Sequence, residues 1–118
     1  MLNLEKYSNI FKALGEPNRL AIVLMLKERK MCVCEIVTVL PVSFSTISSH
    51  LKILLNAGIV EKERDGKWIV YSLTCDRLIQ DIVETVSESL KSEKGFGELM
   101  ETIKKLNRDE CALNYKEI

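Results

Sequence analysis

The spacing of apolar positions changes period along this chain, and each change marks an element. Leu4, Tyr7, Phe11 and Leu14 recur three and four residues apart, which predicts a first amphipathic helix, and Gly15 stops it. Pro17 suits the first turn of a second helix. Its stripe is Leu20, Val23 and Leu24, and its basic end runs over residues 27–30. A third helix is expected over about 33–40, ended by Pro41. Ser43 is a good cap for a fourth helix reaching about Asn56, with Ala57-Gly58 as its stop. Residues 59–64 and 67–73 then read as strands, and Asp65-Gly66 between them is a strong hairpin signal. Helical spacing returns in Leu78, Ile79, Ile82, Val83, Val86 and Leu90. Gly95-Phe96-Gly97 interrupts it, and Leu99, Ile103 and Leu106 predict a short last helix before a polar tail.

Four helices, a hairpin and a fifth helix, in that order, describe a mainly α chain with a small antiparallel β-hairpin. A tight helix pair followed at once by two strands is the winged helix-turn-helix arrangement. The 118 residues divide into the winged unit, 1–94, and a short C-terminal helix and tail, 95–118. No apolar run approaches the roughly 18–20 residues of a membrane span, and the first residues lack a secretory pattern. The expectation is a cytoplasmic protein that is not tied to a membrane. Lys plus Arg and Asp plus Glu number 17 each, so overall charge is silent about nucleic acid. By segment, residues 1–73 carry ten basic and seven acidic side chains, and 74–118 carry seven and ten. A DNA-binding surface is therefore a local patch in the first two thirds.

The fourth helix divides its labour. Ile47, Leu51 and Leu54 are spaced to face a core. Ser43, Phe44, Ser45, Thr46, Ser48, Ser49, His50 and Lys52 are the candidate DNA-reading positions. Short hydroxyls can bond base edges or phosphates, and an exposed Phe44 ring can meet a thymine methyl. His50 suits a backbone or phosphate contact. Lys62, Arg64 and Lys67, on and beside the hairpin tip, are candidate phosphate clamps.

Four cysteines in a cytoplasmic chain read as ligands or redox groups rather than a disulfide framework. Cys32-Val33-Cys34 stands at the entrance to the third helix. Paired thiolates select soft ions: As(III), Sb(III), Cd(II), Pb(II), Cu(I), and Zn(II) at the border. Residues two apart on a regular helix point to nearly opposite sides, so one ion holding both sulfurs is expected to unwind the first turn. That distortion would displace the reading helix. The helix N-terminus, Arg29 and Lys30 are expected to favour the thiolate forms. Either the two sulfurs suffice, or a third ligand comes from Cys111 folding over from the tail, from Cys75, from the other protomer or from a small thiol; Cys75 is rather expected to be a buried structural thiol.

In Leu14-Gly15-Glu16-Pro17-Asn18-Arg19-Leu20, Cys32-Val33-Cys34-Glu35-Ile36, residues 43–54, Ala57-Gly58-Ile59-Val60 and Arg64-Asp65-Gly66-Lys67-Trp68-Ile69-Val70-Tyr71, the chain resembles the ArsR/SmtB family of metal-responsive winged-helix repressors. The resemblance spans about residues 4–90. It implies a homodimer that binds operator DNA and is released by an effector, with the first and fifth helices as the dimer seam. Within that family the Cys-Val-Cys resembles the inducer site of arsenic- and antimony-responsive repressors, so As(III) or Sb(III) is the implied inducer, with Cd(II), Pb(II) or Zn(II) as other candidates. Three departures bear on this. Val37 stands where the arsenic type often carries a third Cys, no cysteine precedes Cys32 as in the cadmium and lead type, and Phe44 and Ser49 replace the usual residues of the reading helix. A zinc site at the seam would need histidine on the fifth helix. That helix has none, so Asp76, Asp81, Glu84 and Glu88 read as a solvated face.

Two other readings compete. One is an oxidant or persulfide sensor of the same fold that uses Cys32 or Cys34 with a second thiol. A thiol enzyme or metal-delivery protein ranks lower, because no Ser/His/Asp set or phosphate loop accompanies the pair. The chain is not expected to be an enzyme.

Overall fold

The N-terminal helix α1 (Leu4–Leu14) begins where the Asn3 side chain accepts the Lys6 N–H, and it ends at Gly15. The computed structural model describes residues 2–115, with side-chain surroundings as far as Cys111; positions 116–118 of the expected tail lie outside the described residues. In α2 (Pro17–Glu28) the Glu16 carboxylate accepts the N–H groups of Asn18 and Arg19, and proline fills the first turn. Five consecutive residues of α2, Ile22 to Leu26, are buried, so this helix is enclosed on most sides and centres the core.

Helices α3 (Val33–Val39) and α4 (Phe44–Asn56) meet at 115°, a helix-turn-helix crossing. Ser43 caps α4 by accepting the Thr46 N–H at 3.2 Å, and Ile47, Leu51 and Leu54 are fully buried beneath it. Gly58 closes the helix at φ 74°, a left-handed position where a side chain would be strained. Its N–H bonds the Leu55 carbonyl, and the Ile59 N–H bonds that of Leu54.

The sheet has three strands where the sequence predicts two. β1 (Met31–Cys32) pairs antiparallel with β3 (Trp68–Leu73), which pairs with β2 (Val60–Asp65), in the order β1-β3-β2. Cys32 stands opposite Val70, so the thiol segment belongs to the wing's own sheet. The hairpin turn also lies one residue later than Asp65-Gly66. Asp65 pairs with Trp68, leaving Gly66 (φ 64°) and Lys67 as the two loop residues. A single positive φ at the first loop position fits the II′ type of two-residue turn.

After α5 (Arg77–Leu90), capped by Asp76, the chain turns at about 91–93. Gly95 and Gly97 do not form the break; they sit in the first turn of α6 (Lys94–Lys104). Instead of a polar tail there is a further helix, α7 (Arg108–Tyr115), which lies against α3. Among the described residues, no single helix is long and apolar enough to cross a membrane.

Candidate DNA-reading face and thiol pocket

The outer face of α4 carries Ser45, Thr46, Ser48, Ser49 and Lys52, all exposed, and Ser43 is exposed at its cap. The Ser43 hydroxyl donates to Thr46 Oγ1 at 2.8 Å and lies 3.2 Å from Ser45 Oγ, so the first turn presents a linked set of hydroxyls. Lys62, Arg64 and Lys67 are exposed on the wing. Lys62 and Arg64 are two apart on β2 and share a face, while Glu61, Glu63 and Asp65 alternate with them. Lys67 Nζ lies 5.1 Å from the centre of the Trp68 ring.

Two reading-helix residues are not free as the sequence predicts. Phe44 is half-buried and packs on the core, because its position at the start of α4 points it back toward the helix pair. His50 is also turned inward. Its Nε2 lies 3.2 Å from Glu16 Oε2, and its Nδ1 lies 3.3 Å from Arg19 Nη1. Since Arg19 can only donate, the arrangement fits the Nε2–H tautomer. Arg19 also donates to the Ala13 carbonyl at 2.7 Å, so His50 ties the reading helix to the α1–α2 corner.

The thiol pocket is built from three elements. Cys32 ends β1 and caps α3 with extended backbone (φ −85°, ψ 166°), Cys34 lies in the first turn of α3, and Cys111 comes from α7. The three sulfur-bearing residues are buried together, with Trp68 and Leu106 packed against them. Cys32 Sγ and Cys34 Sγ approach to 2.8 Å, well beyond the roughly 2.03–2.05 Å of a disulfide. The expected geometric conflict is therefore absent. Because Cys32 is a cap residue outside the helix, the two sulfurs converge without any unwinding of α3.

Hydrogen bonds fix this arrangement. Glu35 accepts the Cys32 N–H at 3.1 Å in a capping box and pairs with Arg29, whose Nη2 also donates to the Leu106 carbonyl at 3.1 Å. Thr38 Oγ1 lies 2.8 Å from the Cys34 carbonyl and 3.2 Å from Cys111 Sγ, and Cys34 Sγ lies 3.9 Å from the Arg108 carbonyl. Burial pushes both the Cys32 and the Cys34 thiols up from their ordinary range, and for Cys34 the adjacent Cys32 adds to the shift. The predicted thiolate stabilisation is outweighed by this burial, and the nearby cations face other partners: Arg29 pairs with Glu35, and Lys30 with Glu63 at 3.2 Å. Cys75, expected to be buried, is exposed just ahead of the α5 cap. Among the described residues, no three or more His, Cys, Asp or Glu side chains form a ready-made metal cage.

Sequence reading missed Trp68, Thr38 and Arg108 as neighbours of the sulfurs. Trp68 alone carried a local signal, as the large residue opposite the hairpin turn.

A helix pair crossing at 115° with an exposed hydroxyl-rich face, followed by a basic wing, defines a winged-helix DNA-binding regulator. Residues 16–62 match the family described as bacterial regulatory protein, arsR family. Over 85 residues the chain is 45% identical to an uncharacterized HTH-type transcriptional regulator of Methanocaldococcus jannaschii, covering 71% of this chain and 94% of that one. It is 38% identical over 96 residues to the arsenical resistance operon repressor of Bacillus subtilis, covering 80% and 90%. Among solved structures, the transcriptional repressor BigR of Xylella fastidiosa superposes with a TM-score of 0.67 at 30% identity, covering 77% and 89%. The chain belongs to the ArsR family of DNA-binding transcriptional regulators.

Proposed function

We propose that this chain represses transcription as a homodimer on operator DNA and lets go when As(III) or Sb(III) is captured by Cys32, Cys34 and Cys111. The observation that carries the reading is the burial of three thiols, from β1, α3 and α7, in one cluster. The likeness to the arsenical resistance operon repressor of Bacillus subtilis supports arsenic as an inducer. The chemistry agrees. Three thiols displace the three hydroxyls of As(OH)3, so three As–S bonds form, three As–O bonds break and the thiol protons leave in three waters. No net charge is buried. Cd(II), Pb(II) and Zn(II) instead bind thiolates, so their capture must drive off thiol protons that the burial of Cys32 and Cys34 favours retaining. Zn(II) also favours four protein donors in a closed site.

Homodimerisation is supported by the surface of α1. Leu4 is 67% exposed and Phe11 59%, an apolar stripe that water alone does not favour. A dimer presents two reading helices to half-sites about 34–36 Å apart. Because Cys32 ends β1 and stands opposite Val70 of β3, sulfur capture can reach the wing with no need to unwind α3. A coupling of about 1–3 kcal/mol would weaken the operator complex by roughly 5- to 150-fold.

A duplex selected by the protein from a random-sequence library, labelled for anisotropy, tests the reading. Arsenite and antimonite should release it from wild type and from Cys75→Ser, and fail with Cys32→Ser, Cys34→Ser and Cys111→Ser. Undiminished release from the first two of these three substitutions would refute the site. A second reading, oxidant or persulfide sensing, draws on the 2.8 Å approach of Cys32 to Cys34. It predicts release by peroxide or polysulfide with no arsenite response, and the burial that raises the Cys32 and Cys34 thiols weighs against it.

A further inference from the structure

We propose that α7 couples the thiol pocket to the wing, with Arg108 as the positioning residue that carries the coupling. The inference rests on Cys32, Cys34 and Cys111 being the inducer site. Arg108 and Cys111 are three residues apart on one helix and are surface neighbours on it. The Arg108 carbonyl faces Cys34 Sγ at 3.9 Å, while its guanidinium Nη2 lies 3.0 Å from Asp65 Oδ2 and its guanidinium carbon 6.0 Å from the centre of the Trp68 ring. Trp68 packs on the sulfur cluster and stands opposite Asp65 in the hairpin register. A single residue thus touches the sulfur pocket with its backbone and the hairpin tip with its charge.

Asp65 is an acid at the tip of the element whose Arg64 and Lys67 are the candidate phosphate contacts. Paired with Arg108, its charge is masked; unpaired, it repels a phosphate. Drawing three sulfurs onto one atom moves Cys111 and, with it, the turn of α7 that bears Arg108. The Arg108–Asp65 pair opens, and the bare carboxylate weakens the wing's hold on DNA. The pair is made in the DNA-binding state and lost in the released one.

The test uses the full chain, the library-selected duplex and sodium arsenite, with arsenite binding read separately from the sulfur-to-arsenic ultraviolet absorption. Arg108→Gln should bind arsenite like wild type. Without arsenite it should bind DNA about two- to fivefold more weakly, the range an exposed ion pair supports, and arsenite should then weaken it by a correspondingly smaller factor than it weakens wild type. Arg108→Lys, which keeps the charge, should recover the arsenite-free affinity. Asp65→Asn should bind DNA at least as well as wild type and release less of it. The double variant should match Asp65→Asn alone, because no carboxylate remains to be masked. Wild-type affinity and release by Arg108→Gln would overturn the coupling, as would a double variant as weak as Arg108→Gln. A wild-type protein that ignores arsenite would strike the inducer reading and remove the coupling with it. The arsenite-free comparison of the variants separates that failure from this one.

Discussion

Replacing Glu35 by Gln removes one charge from the hinge of the thiol pocket and little else. Glu35 is 3% exposed; one oxygen accepts the Cys32 N–H and the other pairs with Arg29. Glutamine keeps the acceptor for Cys32, so the capping bond survives and only the charge pairing with Arg29 is lost. A fully buried pair that loses one partner costs about 3–5 kcal/mol. The Arg29 side chain is 38% exposed and keeps two carbonyl partners, Lys30 and Leu106, so solvent and those bonds reduce the loss. The expected cost is about 1–3 kcal/mol, the range of a hydrogen bond to a charged group. With a urea dependence of about 1–3 kcal/mol per molar, the unfolding midpoint should fall by on the order of 1 M at unchanged slope. Glu35→Leu, which also abolishes the cap, should cost about 0.5–2 kcal/mol more. Labelling of native Cys32 and Cys34 by a thiol reagent should speed up in step. A midpoint for Glu35→Gln within error of wild type would refute the assignment of Glu35 as the residue that holds the pocket together.

Stability should fall at alkaline pH. Burial keeps Cys32 and Cys34 protonated, so the unfolded chain loses its thiol protons first as pH rises. Their contribution is complete below the ordinary thiol pKa of about 8.5 and is lost progressively as pH climbs toward the raised folded values. Urea melts between pH 7 and 10 should show this decline, and the Cys32→Ser/Cys34→Ser double variant should flatten it. Lys62→Ala with Arg64→Ala should reduce the salt slope of DNA binding by about 2 for each protomer engaged, measured by anisotropy across ionic strengths; an unchanged slope would place the wing off the phosphates. Phe11→Glu puts a charge into the apolar stripe of α1 and should yield monomers in sedimentation, while a dimer of wild-type strength would move the seam elsewhere.

Periodicity and caps carried most of the fold. The α1 stripe, the Ser43 cap, the buried Ile47/Leu51/Leu54 row and the two long wing strands all follow from local spacing, which a single sequence records directly. β1 was illegible because two residues are too few to establish a period, and its pairing with β3 depends on a chain segment almost 40 residues away. Missing β1 also hid why the Cys32 and Cys34 sulfurs converge: ending a strand gives Cys32 the extended backbone that a helical position would deny it. The glycines at 95 and 97 misled because glycine at a helix start costs little when its position is open, and nothing lies near either one. The polar composition of residues 108–115 reads as tail and hides α7. What holds it in place is the burial of Cys111 and the reach of Arg108 to Asp65, both long-range contacts. His50 and Phe44 show that helical spacing assigns a face but not the partner waiting on it.

Convergence of three sulfurs of one chain on a single arsenic atom is the centre of the proposed mechanism. X-ray absorption at the arsenic edge, on wild type loaded with one equivalent of arsenite and on Cys111→Ser, counts them directly. Three sulfur neighbours in wild type, falling to two sulfurs and one oxygen in Cys111→Ser, is the predicted result. An arsenic environment dominated by oxygen, or a sulfur count untouched by loss of Cys111, would contradict it.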